Sequence, residues 1–146
     1  MQDFVREFRA VVEAASSSLA VISETESEAR VIEGKWSKKE ILGHLIDSAS
    51  NNHQRFVRVQ LTDALSLPGY EQNAWVETQA YQTEKWESLV ALWRVYNLHL
   101  AHLVSHIPEG RLSNRVAVGG GDPVTLEFLI RDYLSHLKHH LGQIFN

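Results

Sequence analysis

Apolar side chains recur every three or four residues in four stretches of the chain, a spacing that places them on one face of a helix. The stretches cover residues 4–22, 38–61, 83–107 and 123–144. The sequence therefore predicts an all-α protein built as a four-helix bundle. The connection between the second and third helices is long, which favours an up-down-down-up order of the four helices.

Residues typical of helix ends mark several of these boundaries. Ser37 followed by Glu40 forms a capping box, in which each side chain bonds the other residue's backbone N–H, so the second helix should begin there. Pro108 and Gly110 should end the third helix, which we expect to begin near Thr83. Pro123 suits the first turn of the last helix.

The connection after Pro68 has no clean period and contains the aromatic residues Tyr70, Trp75 and Tyr81. Connections of this length in a small domain are functional or carry secondary structure of their own. We favour packing of the three aromatic rings over the end of the bundle, with the lining of a pocket as the alternative. A brief alternating run at residues 112–118 predicts a strand or an extended arm.

The size and composition of the chain exclude several classes of protein. The 146 residues fit one domain, residues 1–146, and the absence of cysteine excludes disulfides, thiolate zinc sites and a cysteine nucleophile of the chain's own. A net charge of -4 without a basic block argues against nucleic acid as a partner. Since no window approaches the roughly 20 apolar residues of a membrane span and the first residues do not resemble a signal peptide, we expect a cytoplasmic protein.

The candidate chemistry lies in histidines. His136 and His140 are four residues apart and share one face of the last helix, whereas His139 falls on the opposite, solvent side of the helical wheel. A divalent ion needs a third ligand, and His44 of the second helix is the best candidate. Three imidazoles would leave coordination positions open, as in catalytic rather than structural zinc sites.

A rival cluster of histidines lies on the third helix. His99, His102 and His106 share one face and are also suited to chelating a metal. That face is opposite the apolar stripe, so we expect it to contact solvent or another subunit. His53 has no partner at helical spacing and receives no role.

Metal-bound histidines usually donate their second N–H group to a neighbouring acceptor. Asp132 lies one turn before His136, Asp47 and Asn51 lie on the helix of His44, and Gln143 continues the face of the C-terminal pair. For each of these residues we favour a solvated position on the helix surface over such a contact. No carboxylate in the sequence is recognisable as a general base.

Two segments resemble a known family. WSKKEILGHLIDSASNNHQRF is similar to the second-helix motif, and HLKHHLGQI to the last-helix motif, of the DinB-like (DinB/YfiT) metal-binding four-helix bundles. YEQNAW resembles the loop between helices two and three, so the resemblance covers most of residues 36–144. It implies a divalent ion, zinc or nickel, bound by His44, His136 and His140, and a homodimer. The family name implies no contact with DNA.

The reactions of these bundles differ widely. Some resemble metal-dependent transferases or isomerases that use a low-molecular-weight thiol, some hydrolases, and fold alone cannot choose among them. Our leading hypothesis is a metal-dependent enzyme, similar to a thiol-dependent transferase, that activates a thiol or water for attack on a small electrophilic substrate. The alternatives are a metal-dependent hydrolase and a non-catalytic bundle that binds a metal or a small molecule.

Overall fold

Four long helices form the body of the protein, which is described here by a computed structural model of residues 1–146. Two short helices lie in the connections between them. In chain order the helices are α1 (Gln2–Ala20), α2 (Glu24–Glu28), α3 (Lys38–Leu61), α4 (Gln72–Thr78), α5 (Trp86–Ser105) and α6 (Leu126–Phe145). The apolar periods thus predicted the four long helices, whereas α2 and α4 lie in stretches without a recognisable period.

The long helices bury their apolar faces against each other. Helix α1 packs on α5, and α3 packs on both α5 and α6. Trp93 of α5 and Leu137 of α6 are almost fully buried in this core. The Trp86 indole donates a hydrogen bond of 2.9 Å to the Leu19 carbonyl, which brings the end of α1 to the start of α5. None of the helices combines the length and hydrophobicity that a membrane-spanning segment requires.

The start of α3 is held by the predicted capping box. The Ser37 hydroxyl accepts a hydrogen bond of 3.2 Å from the Glu40 backbone N–H, and the Glu40 carboxylate accepts one of 3.1 Å from the Ser37 N–H. Lys39 is 2% exposed and pairs with Glu24 of α2, so its charge is compensated. These local contacts determine where α3 begins and therefore how it presents His44 nearly two turns later.

A small sheet joins two of the connections. Strand β1 (Leu65–Leu67) pairs in parallel with β2 (Arg115–Val118), which pairs antiparallel with β3 (Val124–Thr125). The predicted strand is therefore present. The prediction that Pro123 lies in the first turn of the last helix was wrong. The next two residues pair with β2, and the Thr125 hydroxyl caps α6 by accepting from the Phe128 N–H.

The long connection carries structure of its own. It contains β1, α4 and a 3₁₀ turn at Tyr81–Thr83. Helix α5 begins at Trp86 rather than near Thr83, because the backbone N–H groups of Thr83 and Glu84 complete the turn by bonding the carbonyls of Ala80 and Tyr81. The turn brings the side chain of Tyr81 against α3, next to the candidate site.

Candidate metal centre

Three histidines from two helices converge in the structure. His44 of α3 is fully buried, and its ring lies 5.0 Å from the Trp36 ring. His136 and His140 lie one turn apart on α6, with their ring centres 5.1 and 4.7 Å from that of His44. One ring nitrogen of each histidine lies within 4.8 Å of the others. The side chains that sequence reasoning singled out therefore meet at one point between α3 and α6.

The spacing of the nitrogens suits a small divalent cation. The Nε2 atoms of His44 and His136 are 3.2 Å apart. Two imidazole nitrogens bound tetrahedrally at zinc distances of roughly 2.0–2.1 Å would be about 3.3 Å apart. The helices therefore already hold these two rings at the separation that a shared ion requires.

The electrostatic environment keeps the histidines neutral, which is the form that binds metals. Burial and the neighbouring imidazoles lower the pKa of both His44 and His136 to about 4. Burial also lowers the pKa of His140, although its hydrogen bond with Gln143 opposes the shift. Uncharged imidazoles with free lone pairs are consequently present at neutral pH without a proton having to leave.

Of the four neighbouring polar residues, Gln143 contacts a histidine directly. Its Oε1 atom lies 2.8 Å from His140 Nδ1, which can donate its hydrogen there and leave Nε2 free as a ligand. This contact differs from the solvated position favoured for Gln143 from the sequence. Asp132 is exposed, and its charge opposes part of the lowering of the His136 pKa. The Asn51 amide bonds the Asp47 carbonyl within its own helix.

Asp47 belongs to a buried network beside His44. Its Oδ1 atom accepts a hydrogen bond of 2.6 Å from the Tyr81 hydroxyl and one of 2.7 Å from the Gln79 amide. Burial raises the pKa of the Asp47 carboxyl. The second oxygen, Oδ2, and the Nδ1 atom of His44 are both buried without a partner, one helical turn apart in sequence.

Gly43 makes this network possible, and sequence reasoning missed it. A Cβ atom at this position would lie 2.2 Å from the Tyr81 ring, so only glycine lets the ring approach α3 so closely. A single glycine inside a strongly periodic helix was the available signal. Tyr81 is therefore a packing residue, as favoured from the sequence, but its buried ring packs on α3 and supports the helix turn that carries His44.

Two cavities adjoin the three histidines. The larger, of about 720 Å³, is bordered by His140 and Gln143 and by the loop of residues 29–36. The smaller, of about 260 Å³, is bordered by His136 and Tyr70. Tyr70 lines a cavity, contrary to the packing role expected for it. The histidine cluster is therefore accessible from two sides.

The remaining histidines lie elsewhere. His139 is exposed, as the helical wheel predicted. The rival cluster, His99, His102 and His106, is exposed as well, and its rings face solvent on α5. His53, for which the sequence indicated no partner, has Nδ1 2.8 Å from the Tyr96 hydroxyl and its ring 5.3 Å from that of His99.

Comparison with known proteins identifies the class. The model of the DinB superfamily matches residues 5–144, so the chain belongs to this superfamily. The structure is similar to that of YfiT from Bacillus subtilis, described as a probable metal-dependent hydrolase with an unusual four-helix bundle topology. The TM-score is 0.84 at 19% identity, with 99% of this chain and 86% of YfiT covered.

A second similar structure is a mycothiol-dependent maleylpyruvate isomerase, also solved as a single-residue variant. The TM-score is 0.72 at 14% identity, and the match covers 96% of this chain and 60% of the isomerase. At these identities the likeness concerns the fold. No curated protein matches the sequence significantly.

Proposed function

We propose that this DinB-superfamily protein is a divalent-metal-dependent enzyme in which His44, His136 and His140 hold zinc or nickel. In this proposal a thiol or a water molecule attacks a small electrophilic substrate beside the three histidines. A bound divalent ion would supply the positive charge that makes a thiol or water a stronger acid at neutral pH. The chain's own residues hold the ligand atoms in place and provide access for the reactants.

The observation that carries the proposal is the convergence of three neutral imidazoles within 4.8 Å of one another. Bringing one buried and two partly buried histidines together costs free energy unless something compensates for the lost hydration of their ring nitrogens. The 3.2 Å separation of two Nε2 atoms and the 2.8 Å contact that orients His140 are both favourable for binding a cation.

The accessibility of the cluster favours catalysis over a purely structural role. Structural zinc is usually enclosed by four protein ligands, whereas this chain offers three histidines with a cavity on either side. Two cavities of unequal size are suited to two different reactants. The larger one, beside His140, is the natural place for a thiol cosubstrate, which the chain must obtain elsewhere because it has no cysteine.

Hydrolysis is the second candidate. The likeness to YfiT, whose description names a hydrolase, supports it, and the likeness to a mycothiol-dependent isomerase supports thiol chemistry. Asp132 is the carboxylate whose charge acts on His136, but it is exposed, and Asp47 is bound to Tyr81 and Gln79. Since neither is a well-placed general base for water, we favour the thiol-dependent reaction.

Two further features belong to the proposal. The order up-down-down-up is supported by contacts that bring the start of α3 to the end of α6 and the start of α5 to the end of α1. A homodimer is supported by exposed apolar side chains, among them Leu92 and Val95 on the outer face of α5.

The first experiment is elemental analysis of protein purified without a histidine tag. We expect one divalent ion per chain, lost in His140→Ala and retained in His139→Ala, since His139 is exposed and outside the cluster. A wild-type protein that binds no divalent ion, even after incubation with zinc or nickel, would contradict the proposal.

The second experiment separates the two reactions. A panel of low-molecular-weight thiols is combined with electrophilic acceptors, and simple esters are tested with and without thiol. We expect turnover that requires the thiol, disappears after chelation and is absent in His140→Ala. Turnover of esters without thiol would instead favour the hydrolase. A metal-loaded protein inactive with every combination would favour a non-catalytic bundle.

A further inference from the structure

Arg55 of α3 is a half-buried cation without an ionic partner. It takes part in none of the ion pairs of the structure. Its guanidinium carbon lies 5.9 Å from the centre of the Tyr70 ring, a cation–π contact that leaves the N–H edges free. Burial lowers the pKa of Arg55, so its surroundings disfavour the charge. Buried charges are normally paired, which makes an unpaired arginine here unusual.

The position of Arg55 connects it to the candidate metal centre. Together with His44, Ser48 and Asn52 it follows a spacing of four, four and three residues, which places all four on one face of α3. Ser48, Asn52 and Arg55 line the same cavity of about 260 Å³ as His136. Burial raises the pKa of the Tyr70 hydroxyl, which also borders this cavity and stays protonated as a hydrogen-bond donor.

We propose that this cavity binds the carboxylate of a small substrate through the guanidinium of Arg55, with the electrophilic end of the same molecule directed toward His136. This inference rests on the proposed function and deepens it by naming the substrate class. The fork of guanidinium N–H groups matches a carboxylate in a two-point contact. The cavity lies slightly below the usual range for drug-sized ligands, roughly 300–1,000 Å³, so the substrate is a small acid.

The charges around the cavity favour a carboxylate over a phosphate. Arg55 is its one cationic side chain, and Asp132 contributes a negative charge to the same wall. Asp132 repels a phosphate dianion more strongly than a monoanionic carboxylate, and one guanidinium balances the single charge of the carboxylate. Arg55 and His136 both border the cavity, and its volume of about 260 Å³ leaves room for a short chain between them. The carboxylate and the reacting carbon are therefore separated by several bonds.

The test uses hexanoate as an unreactive probe and hexanamide as its uncharged counterpart. Binding to zinc-loaded protein is followed by NMR titration or calorimetry. We expect hexanoate to bind more tightly than hexanamide, and Arg55→Gln to weaken hexanoate binding by roughly 10- to 100-fold. Arg55→Lys keeps the charge but loses the forked N–H groups, so we expect a smaller loss of affinity for hexanoate. Because the positive charge is retained, this variant should also fold normally. The matched control is Arg58→Gln, an exposed arginine of the same helix, which should leave binding unchanged.

Three results would overturn the inference: equal affinity for hexanoate and hexanamide, unchanged affinity in Arg55→Gln, or tighter Arg55-dependent binding of inorganic phosphate. Repeating the titration on chelator-treated protein separates this inference from the proposed function. Binding that depends on Arg55 in a protein unable to retain metal would support the carboxylate site and contradict the metal-dependent enzyme. Binding that needs zinc but not Arg55 would indicate that the carboxylate binds the metal, and would reject the site.

Discussion

The close contact between Gly43 and the Tyr81 ring predicts the effect of Gly43→Ala on stability, and helix propensity alone predicts the opposite effect. Replacing a glycine inside a helix by alanine normally stabilises a protein by about 1 kcal/mol. In Gly43→Ala the new methyl group would lie 2.2, 2.3 and 2.7 Å from three carbons of the Tyr81 ring. We therefore expect this substitution to destabilise the protein.

The loss of stability in Gly43→Ala can be worked out from the displacement of the Tyr81 ring. Ordinary van der Waals contact needs 3.4–4 Å, so the Tyr81 ring has to retreat by more than about 1 Å. Overpacking of this kind costs about 1–3 kcal/mol. The retreat also stretches the 2.6 Å hydrogen bond to Asp47, a loss of about 1–3 kcal/mol. After the gain of about 1 kcal/mol in helix propensity, the net loss in the free energy of unfolding is about 1–5 kcal/mol.

Urea and thermal unfolding of the metal-free protein measure this loss, which should lower Tm by roughly 2–20 °C. The matched control is Gly142→Ala in α6, where a Cβ atom would meet nothing within 4 Å and stabilisation is expected. In a Tyr81→Ala background, Gly43→Ala should become neutral or stabilising. If Gly43→Ala stabilises the wild-type protein as Gly142→Ala does, the close packing of Tyr81 on α3 is wrong.

Two further predictions concern the site and its helix. Burial holds the pKa of His44 and His136 near 4, below the ordinary 6.5, so the unfolded chain binds protons that the folded chain does not. The metal-free protein should therefore lose stability as the pH falls from about 6.5 to 4, and the stability of His44→Ala should depend less steeply on pH. Urea titrations measure this dependence. A free energy of unfolding that stays constant over this pH range would refute the low pKa of the two histidines. Ser37→Ala removes the cap of α3 and should cost about 0.5–2 kcal/mol in the free energy of unfolding. The corresponding change at Ser23, the cap of the five-residue α2, should cost less, and equal costs would contradict a special role of the Ser37 cap.

Sequence reasoning reached the three histidines by two routes. Helix periodicity separated His136 and His140 from the exposed His139, because the direction of a side chain on a helix depends only on its position along the chain. His44, 92 residues before His136, was proposed because a divalent ion needs a third ligand, and the resemblance to the DinB-like bundles strengthened that choice. No local pattern could have established it, since nothing local specifies which face of α3 meets α6.

The residues that sequence reasoning missed have no periodic signature. Arg55 looks like any polar residue of an amphipathic helix, and its lack of an ionic partner is visible only when every neighbouring charge is in place. Tyr81 lies in an irregular connection, and its approach to Gly43 depends on the 3₁₀ turn that precedes α5.

The sequence by itself determined the features that depend on residues close together in the chain. The four long helices follow from the period of apolar residues, and the start of α3 follows from the Ser37 and Glu40 side chains. Tertiary structure decided the rest. Helix α6 begins after Pro123 and not at it, because the two residues that follow Pro123 pair with strand β2. The meeting of His44 with the C-terminal histidines, the cavities on either side and the burial of Arg55 all depend on how whole helices pack, and packing is a property of faces that are distant in sequence.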